Sequence, residues 1–234
     1  MHPDHRSRLL DAGVPAEILD SVPLVPLDPD LLPAWWSEGG NAFYIRDGVV
    51  VPPRVLADLV LIPYSGALIV VASDVRHLSS LLVGGDDALV FLGPHSVFTS
   101  ADLYCGGDSA IVLLGRTVAT RCAIVDARNG GTVFAEEDQL WAADVYVATD
   151  DMHRLEDVAT GVRLNPYGGT IRLGRHVWLC KDAIVTGDVE IGEGSVIGAR
   201  SMVRNQKVPA RVAVAGVPAR VIREGVTWSG DDRP

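Results

Sequence analysis

The amino-acid sequence predicts an all-β solenoid, a parallel coil of short strands closed at its N-terminal end by an α/β cap, and three observations predict it. Stepping by six from Leu173, the chain reads Leu173, Leu179, Val185, Ile191, Ile197 and Val203, aliphatic at every step. Gly174, Gly192 and Gly198 directly follow three of these, as suits a strand turning a corner every six residues, where only a small side chain fits. Positions six apart on an α-helix lie on nearly opposite faces, so a helix cannot produce the pattern. Three hexapeptides close one coil, and Leu173 and Ile191 stand one coil apart.

The elements follow in chain order. Residues 1–66 read as a cap: a helix is expected at His5–Ala12, then a Pro-rich stretch and Trp35-Trp36, because a solenoid must cover its first apolar coil from water. The run Val55–Ser73 is long enough to raise the question of a membrane span. It contains Asp58, Pro63, Tyr64, Ser65 and Gly66, so buried strands are expected and no span. The coil itself is expected over residues 67–208, with upstream coil starts at Val70, Leu92, Leu114 and Ala135, each a coil plus a short corner loop apart. Ala135 to Leu173 is far longer than one coil and calls for an inserted loop at about 148–170. Pro209, Pro218 and the terminal SGDDRP stop the repeat, leaving 209–234 as a C-terminal tail.

Thirty acidic against twenty basic side chains leave a formal charge of −10 over 234 residues. The resulting field repels phosphodiesters, so no nucleic-acid partner is expected. Lys181 and Lys207 are the only lysines, so a phosphate site must be local and built mainly from guanidinium groups. Cys105, Cys122 and Cys180 form neither a zinc spacing nor a disulfide framework, which fits a reducing compartment. The first twenty residues lack an apolar core followed by a small-residue cleavage site, so no secretory signal is expected and a cytoplasmic location is.

The inserted loop is polar where its flanks are apolar. His153 stands there among Asp150, Asp151, Glu156 and Asp157. A loop on a rigid scaffold exposes the ring, and a neighbouring carboxylate can fix its tautomer, which suits a general base; the competing reading is a solvated acidic loop with an incidental histidine. Trp178 precedes the inward Leu179, so strand alternation sends it outward. It then packs against another subunit or walls a ligand site.

The run TDDMH, followed by TGVRLNP, IRLGRHVWLCKDAIVTGDVEIGEGSVIGARSMV and AGVPARVIR, resembles the hexapeptide-repeat acyltransferases, most closely those that O-acetylate bacterial capsular polysaccharides and sialic acid polymers. The similarity covers roughly Leu92 to Arg223 and leaves out the first 66 residues. It implies a left-handed parallel β-helix, a homotrimer, acetyl-CoA in a groove between subunits and a carbohydrate acceptor. His153 matches the family's catalytic histidine. Asp157 fits the family's H-x-x-x-D spacing, and Asp150 is a further candidate to hold the ring. Trp178 matches an aromatic of the same cleft, and Gly216, Pro218 and Arg220 match the coil end where the nucleotide part of CoA approaches. Arg204 and Lys207 are candidate cations for its phosphates, in a stretch where Gln206 or a neighbour looks inserted. Cys180 stands where the family has Gly, and space-filling is favoured there over a role in acceptor access or as a thiol nucleophile.

Other readings are an amino-sugar N-acetyltransferase on the same scaffold and a non-enzymatic β-helix scaffold. A zinc site would need His95, His153 and His176 to converge, which their spacing does not favour, so no metal is expected.

Overall fold

The computed structural model describes residues 1–231. A parallel β-solenoid of about seven turns follows a small helical N-terminal part, and its hand is left. Each turn contributes a strand to each of three walls. The first wall stacks Leu68–Val71, Leu89–Leu92, Ala110–Leu113, Thr132–Ala135 and Thr170–Leu173 in parallel register. The second runs from Val97–Phe98 through Gln139–Trp141 and Trp178–Leu179 to Val212–Ala215. The third stacks Ser80–Val83, Ala101–Cys105, Ala123–Ala127 and Tyr146–Ala148. Two long strands, Ile184–Ile191 and Met202–Val208, bend from the third wall into the first.

The six-residue ladder lies inside this prism: Leu173, Leu179, Val185, Ile191, Ile197 and Val203 are each at most 1% exposed. Upstream, the register differs from the sequence expectation by one residue at two coils. Val71, Leu92, Leu113 and Ala135 form the inward ladder, whereas Val70 and Leu114 point outward. They are buried all the same, because helices α1 (Pro3–Asp11) and α2 (Ala16–Ser21) lie over the outer side of the first wall. Leu9, Val14 and Leu19 pack there with Val70, Phe91, Val112 and Leu114. Strands buried on both sides lose the alternation that betrays register.

The start of α1 is set by local chemistry. His2 caps it by accepting from the Asp4 N–H, a proline occupies its first turn, and Asp4 and Arg8 complement the two ends of the dipole. Arg8 also donates to the carbonyls of Gly66 and Asp87, tying the helix to the coil corners. Helices α3 (Ala34–Glu38) and α4 (Pro53–Leu59) close the end of the prism, placing Trp36, Val55 and Leu59 in the same core as the inward ladder. Strand Ala42–Arg46 pairs in parallel with Leu68–Val71 and adds one more rung to the first wall. The run Val55–Ser73 thus resolves into a helix and a strand, and no helix among the described residues is long and apolar enough to cross a membrane.

The corner glycines serve close approach more than turning. A Cβ on Gly192 would lie 2.4 Å from the Ala210 N of the next coil. The left-handed corner positions belong instead to residues such as His95, Asp138 and His176, with φ of 60°, 67° and 60°, types that tolerate this region better than most.

Two further expectations are corrected at the C-terminal end. The stretch around Gln206 is one residue shorter than the coil before it: Thr186 faces Arg204 and Val189 faces Gln206, so Asn205 alone stands against Gly187 and Asp188. Val208 therefore takes the inward place opposite Ile191. Nor does the fold stop at 209. Val212–Ala215 continues the second wall, and Arg220–Glu224 pairs antiparallel with it. The last three residues of the expected tail, 232–234, lie outside the described residues.

Candidate active site

The inserted loop leaves the corner between the third and first walls after Ala148 and returns at Thr170. Its root is a buried charge cluster. The Asp150 side chain is 0% exposed; it accepts from Asn129 Nδ2 at 2.7 Å, from the Gly168 N–H at 2.9 Å and from Arg163 Nη2 at 3.4 Å. Burial raises the carboxyl's pKa, but the Gly168 N–H, the Asn129 amide and the Arg163 guanidinium outweigh it and hold the group below the ordinary aspartate value. Asp151 accepts from Arg204 Nη2 at 2.7 Å, fastening the loop to a late coil.

Beyond this root the loop presents His153. Its backbone is pinned on both sides: the N–H donates to Asp151 O, and the carbonyl accepts from Asn165 Nδ2, each at 2.8 Å. The ring is exposed, and neither nitrogen meets a partner among the described residues. The two carboxylates expected to hold it are engaged elsewhere. Asp150 anchors the loop root, and Asp157 Oδ1 closes its own turn by accepting from Ala159 N, Thr160 N and Thr160 Oγ1. The Thr160 hydroxyl and N–H hold the Asp157 carboxyl below its ordinary value. Within one chain the H-x-x-x-D spacing is not a contact.

Trp178 lies on the second wall, whereas the loop leaves the opposite corner, so one chain does not bring His153 and Trp178 together. A segment of the tail covers Trp178. Trp228 lies over it at a ring separation of 6.3 Å and stacks flat on His176 at 4.0 Å. Asp138 Oδ2 faces His176 Nδ1 at 2.7 Å, the Trp228 carbonyl faces Nε2 at 2.9 Å, and Trp228 Nε1 donates to the His176 carbonyl at 2.8 Å. No sequence pattern announced this clasp; its one signal is a lone tryptophan in a polar tail.

The candidate cations sit on the last coils. Lys207 pairs with Glu190 at 2.6 Å, and Arg220 Nη1 donates to the Ala219 carbonyl at 2.8 Å. Gly216 has φ of 103° and precedes a cis Val217–Pro218 bond, and its N–H donates to Ser201 Oγ at 3.0 Å, which ties this turn to the final coil. Cys180 is half-buried at a corner, where burial pushes its thiol up to about 11. Among the described residues no group of three or more His, Cys, Asp and Glu side chains is placed to hold a metal ion.

Residues 170–205 match the family model described as Bacterial transferase hexapeptide (six repeats). A stretch of 58 residues is 45% identical to galactoside O-acetyltransferase of Escherichia coli (strain K12), covering 25% of this chain and 28% of that one. Another of 107 residues is 30% identical to the putative lipopolysaccharide biosynthesis O-acetyl transferase WbbJ of the same organism, 46% of each chain. The chain thus spans less than half the length of these curated relatives. In shape the chain resembles the polySia specific acetyltransferase NeuO, with a TM-score of 0.59 and 23% identity over 73% of this chain and 72% of that one. It also resembles the polysialic acid O-acetyltransferase OatWY, with a TM-score of 0.51 and 18% identity over 73% and 76% of the two chains. At these identities the likeness in shape bears on the fold alone.

Proposed function

We propose that the protein transfers an acetyl group from acetyl-CoA to a hydroxyl of a sugar or polysaccharide, with His153 as general base. The observation that carries this reading is a histidine whose backbone is pinned while its ring stays free, on a loop inserted into a hexapeptide solenoid whose sequence relatives are O-acetyltransferases. Acetyl-CoA supplies the acyl group as an activated thioester. A sugar hydroxyl is a poor nucleophile near neutral pH, and His153 would accept its proton as the new C–O bond forms; the thioester C–S bond then breaks and CoA leaves as the thiol, carrying that proton away. Arg204, Lys207 and Arg220, all on the surface of the final coils, would receive the CoA phosphates, which an acidic protein must offset locally. Gly216 and Pro218 shape the turn beside them, and Trp178 would wall the cleft once Trp228 is displaced.

A homotrimer completes this site. His153 and Trp178 leave different sides of one prism, so a cleft containing both needs two copies. The loop carries the surface for such packing: Leu155, Val158, Val162 and Leu164 are each at least 58% exposed, an apolar cluster that water alone would disfavour. The neighbouring copy is then the source of a group that orients the His153 ring, since Asp150 and Asp157 are committed within their own chain.

The test is transfer itself. Purified protein incubated with acetyl-CoA and a panel of neutral, amino and acidic oligosaccharides is expected to yield base-labile O-acetyl esters, identified by NMR of the product. Amide products alone would replace this reading with N-acetylation, and no transfer to any acceptor would overturn it.

A further inference from the structure

At Gly225, with φ of 67°, the chain leaves strand Arg220–Glu224 and runs back as a strap along the corner that opens the second wall. A Cβ at Gly225 would meet nothing within 4 Å, so the glycine serves the left-handed turn and not close approach. The strap is attached at two places. Near its start the Val226 N–H donates to the Arg211 carbonyl at 2.9 Å; at Trp228 it reaches His176 and Trp178, two coils earlier. Alongside lies a groove of about 390 Å³, with Glu193 and Arg211 on the coil side and Gly225, Val226 and Thr227 on the strap side.

The hold at Trp228 is specific. Its ring stacks on His176 with the planes 5° apart, hydrogen bonds run both ways between the two residues, and the second ring nitrogen of His176 faces Asp138. The cost falls on Trp178, whose Nε1 is shut off from solvent and meets no acceptor among the described residues. Closing the strap therefore gives up a hydrogen bond that water supplies when it is open. A permanently docked segment fills the space beneath it and satisfies the polar groups that it buries. Two attachments, an unfilled groove and an unpaired indole N–H describe instead a cover built to leave.

We propose that residues 225–229 are an autoinhibitory strap: closed, they occupy the face of Trp178 that acetyl-CoA needs, and binding of acetyl-CoA displaces them. This role rests on the acetyl-transfer reading, in which Trp178 walls the donor cleft. It adds a resting state in which the chain fills its own donor site. Because strap and donor compete, the measured affinity for acetyl-CoA is the intrinsic affinity reduced to the fraction of molecules that are open. Weakening the strap raises that affinity, and the donor in turn loosens the strap.

The experiment reads calorimetric affinity for acetyl-CoA and hydrogen exchange at Val226, in the full chain and in Trp228→Ala. The variant is expected to bind acetyl-CoA roughly 5- to 30-fold more tightly. In the wild-type protein acetyl-CoA is expected to speed exchange at Val226, a ligand removing protection instead of adding it. Asp138→Asn weakens the clasp from the far side of His176 and keeps both tryptophans; it is expected to shift affinity in the same direction by a smaller factor. Unchanged or weaker binding by Trp228→Ala, or slower exchange at Val226 with acetyl-CoA, would overturn the strap and make the tail a fixed wall or a lid over the donor. The acetyl-transfer reading would survive that result, because the wild-type protein still binds. No binding by either protein would remove acetyl-CoA as the donor, and the strap's role with it. Were Trp228→Ala not to fold, Asp138→Asn and the wild-type exchange would decide.

Discussion

His153 and Asp150 divide the work that the sequence assigned to one cluster of polar residues. The histidine was legible because an imidazole among carboxylates on an insertion is conspicuous, and its neighbourhood resembles a known motif. The carboxylates were less so, because spacing shows proximity along the chain and not which donors each oxygen finds. Asp150 turns inward to Asn129, Gly168 and Arg163, partners brought in by the coil and the returning loop. Its carboxyl is depressed in the folded state, so its stabilising contribution is complete above the unfolded aspartate value of about 3.9. That contribution is lost as pH falls through the lower folded value. Hydrogen exchange is therefore expected to show the loop opening in acid below this range while the coils stay protected. Asp150→Ala should open it at neutral pH, at a cost of about 1–3 kcal/mol. A loop equally protected in wild type and variant would show that Asp150 is not its anchor.

At the scale of elements, the repeat was clearest where a wall has one face in water. From Leu173 onward the strands alternate between inward aliphatic and outward polar residues, and the period of six stands out. Leu68–Val71 and Leu89–Leu92 are buried on both faces, because α1 and α2 cover them, and there the coil spacing points to Val70 although Val71 is the inward residue. The same contact makes the helices part of the fold's stability and not only a lid over the coil end. Leu9 is 0% exposed against Phe91 and Leu114, so Leu9→Ala should cost about 2–5 kcal/mol in urea unfolding. A loss below about 1 kcal/mol, where typical exposed-site changes fall, would mean that the helix does not dock as described.

For the whole molecule, the left-handed solenoid explains why the site could be read only in part. His153, Trp178 and the late cations follow a motif in sequence, and the prism carries them to different sides of one chain. Trp228, by contrast, belongs to no motif; it reaches Trp178 only because the tail turns back along the second wall. The trimer proposed above reunites what one prism separates, and the whole scheme converges on proton removal by a single imidazole. The measurement that bears on it most directly is steady-state turnover of His153→Ala with the best acceptor, alongside calorimetric affinity for acetyl-CoA. Turnover is expected to fall by about 10² to 10⁴ with acetyl-CoA affinity little changed. Turnover near the wild-type rate would make His153 an ordinary loop residue and contradict the mechanism.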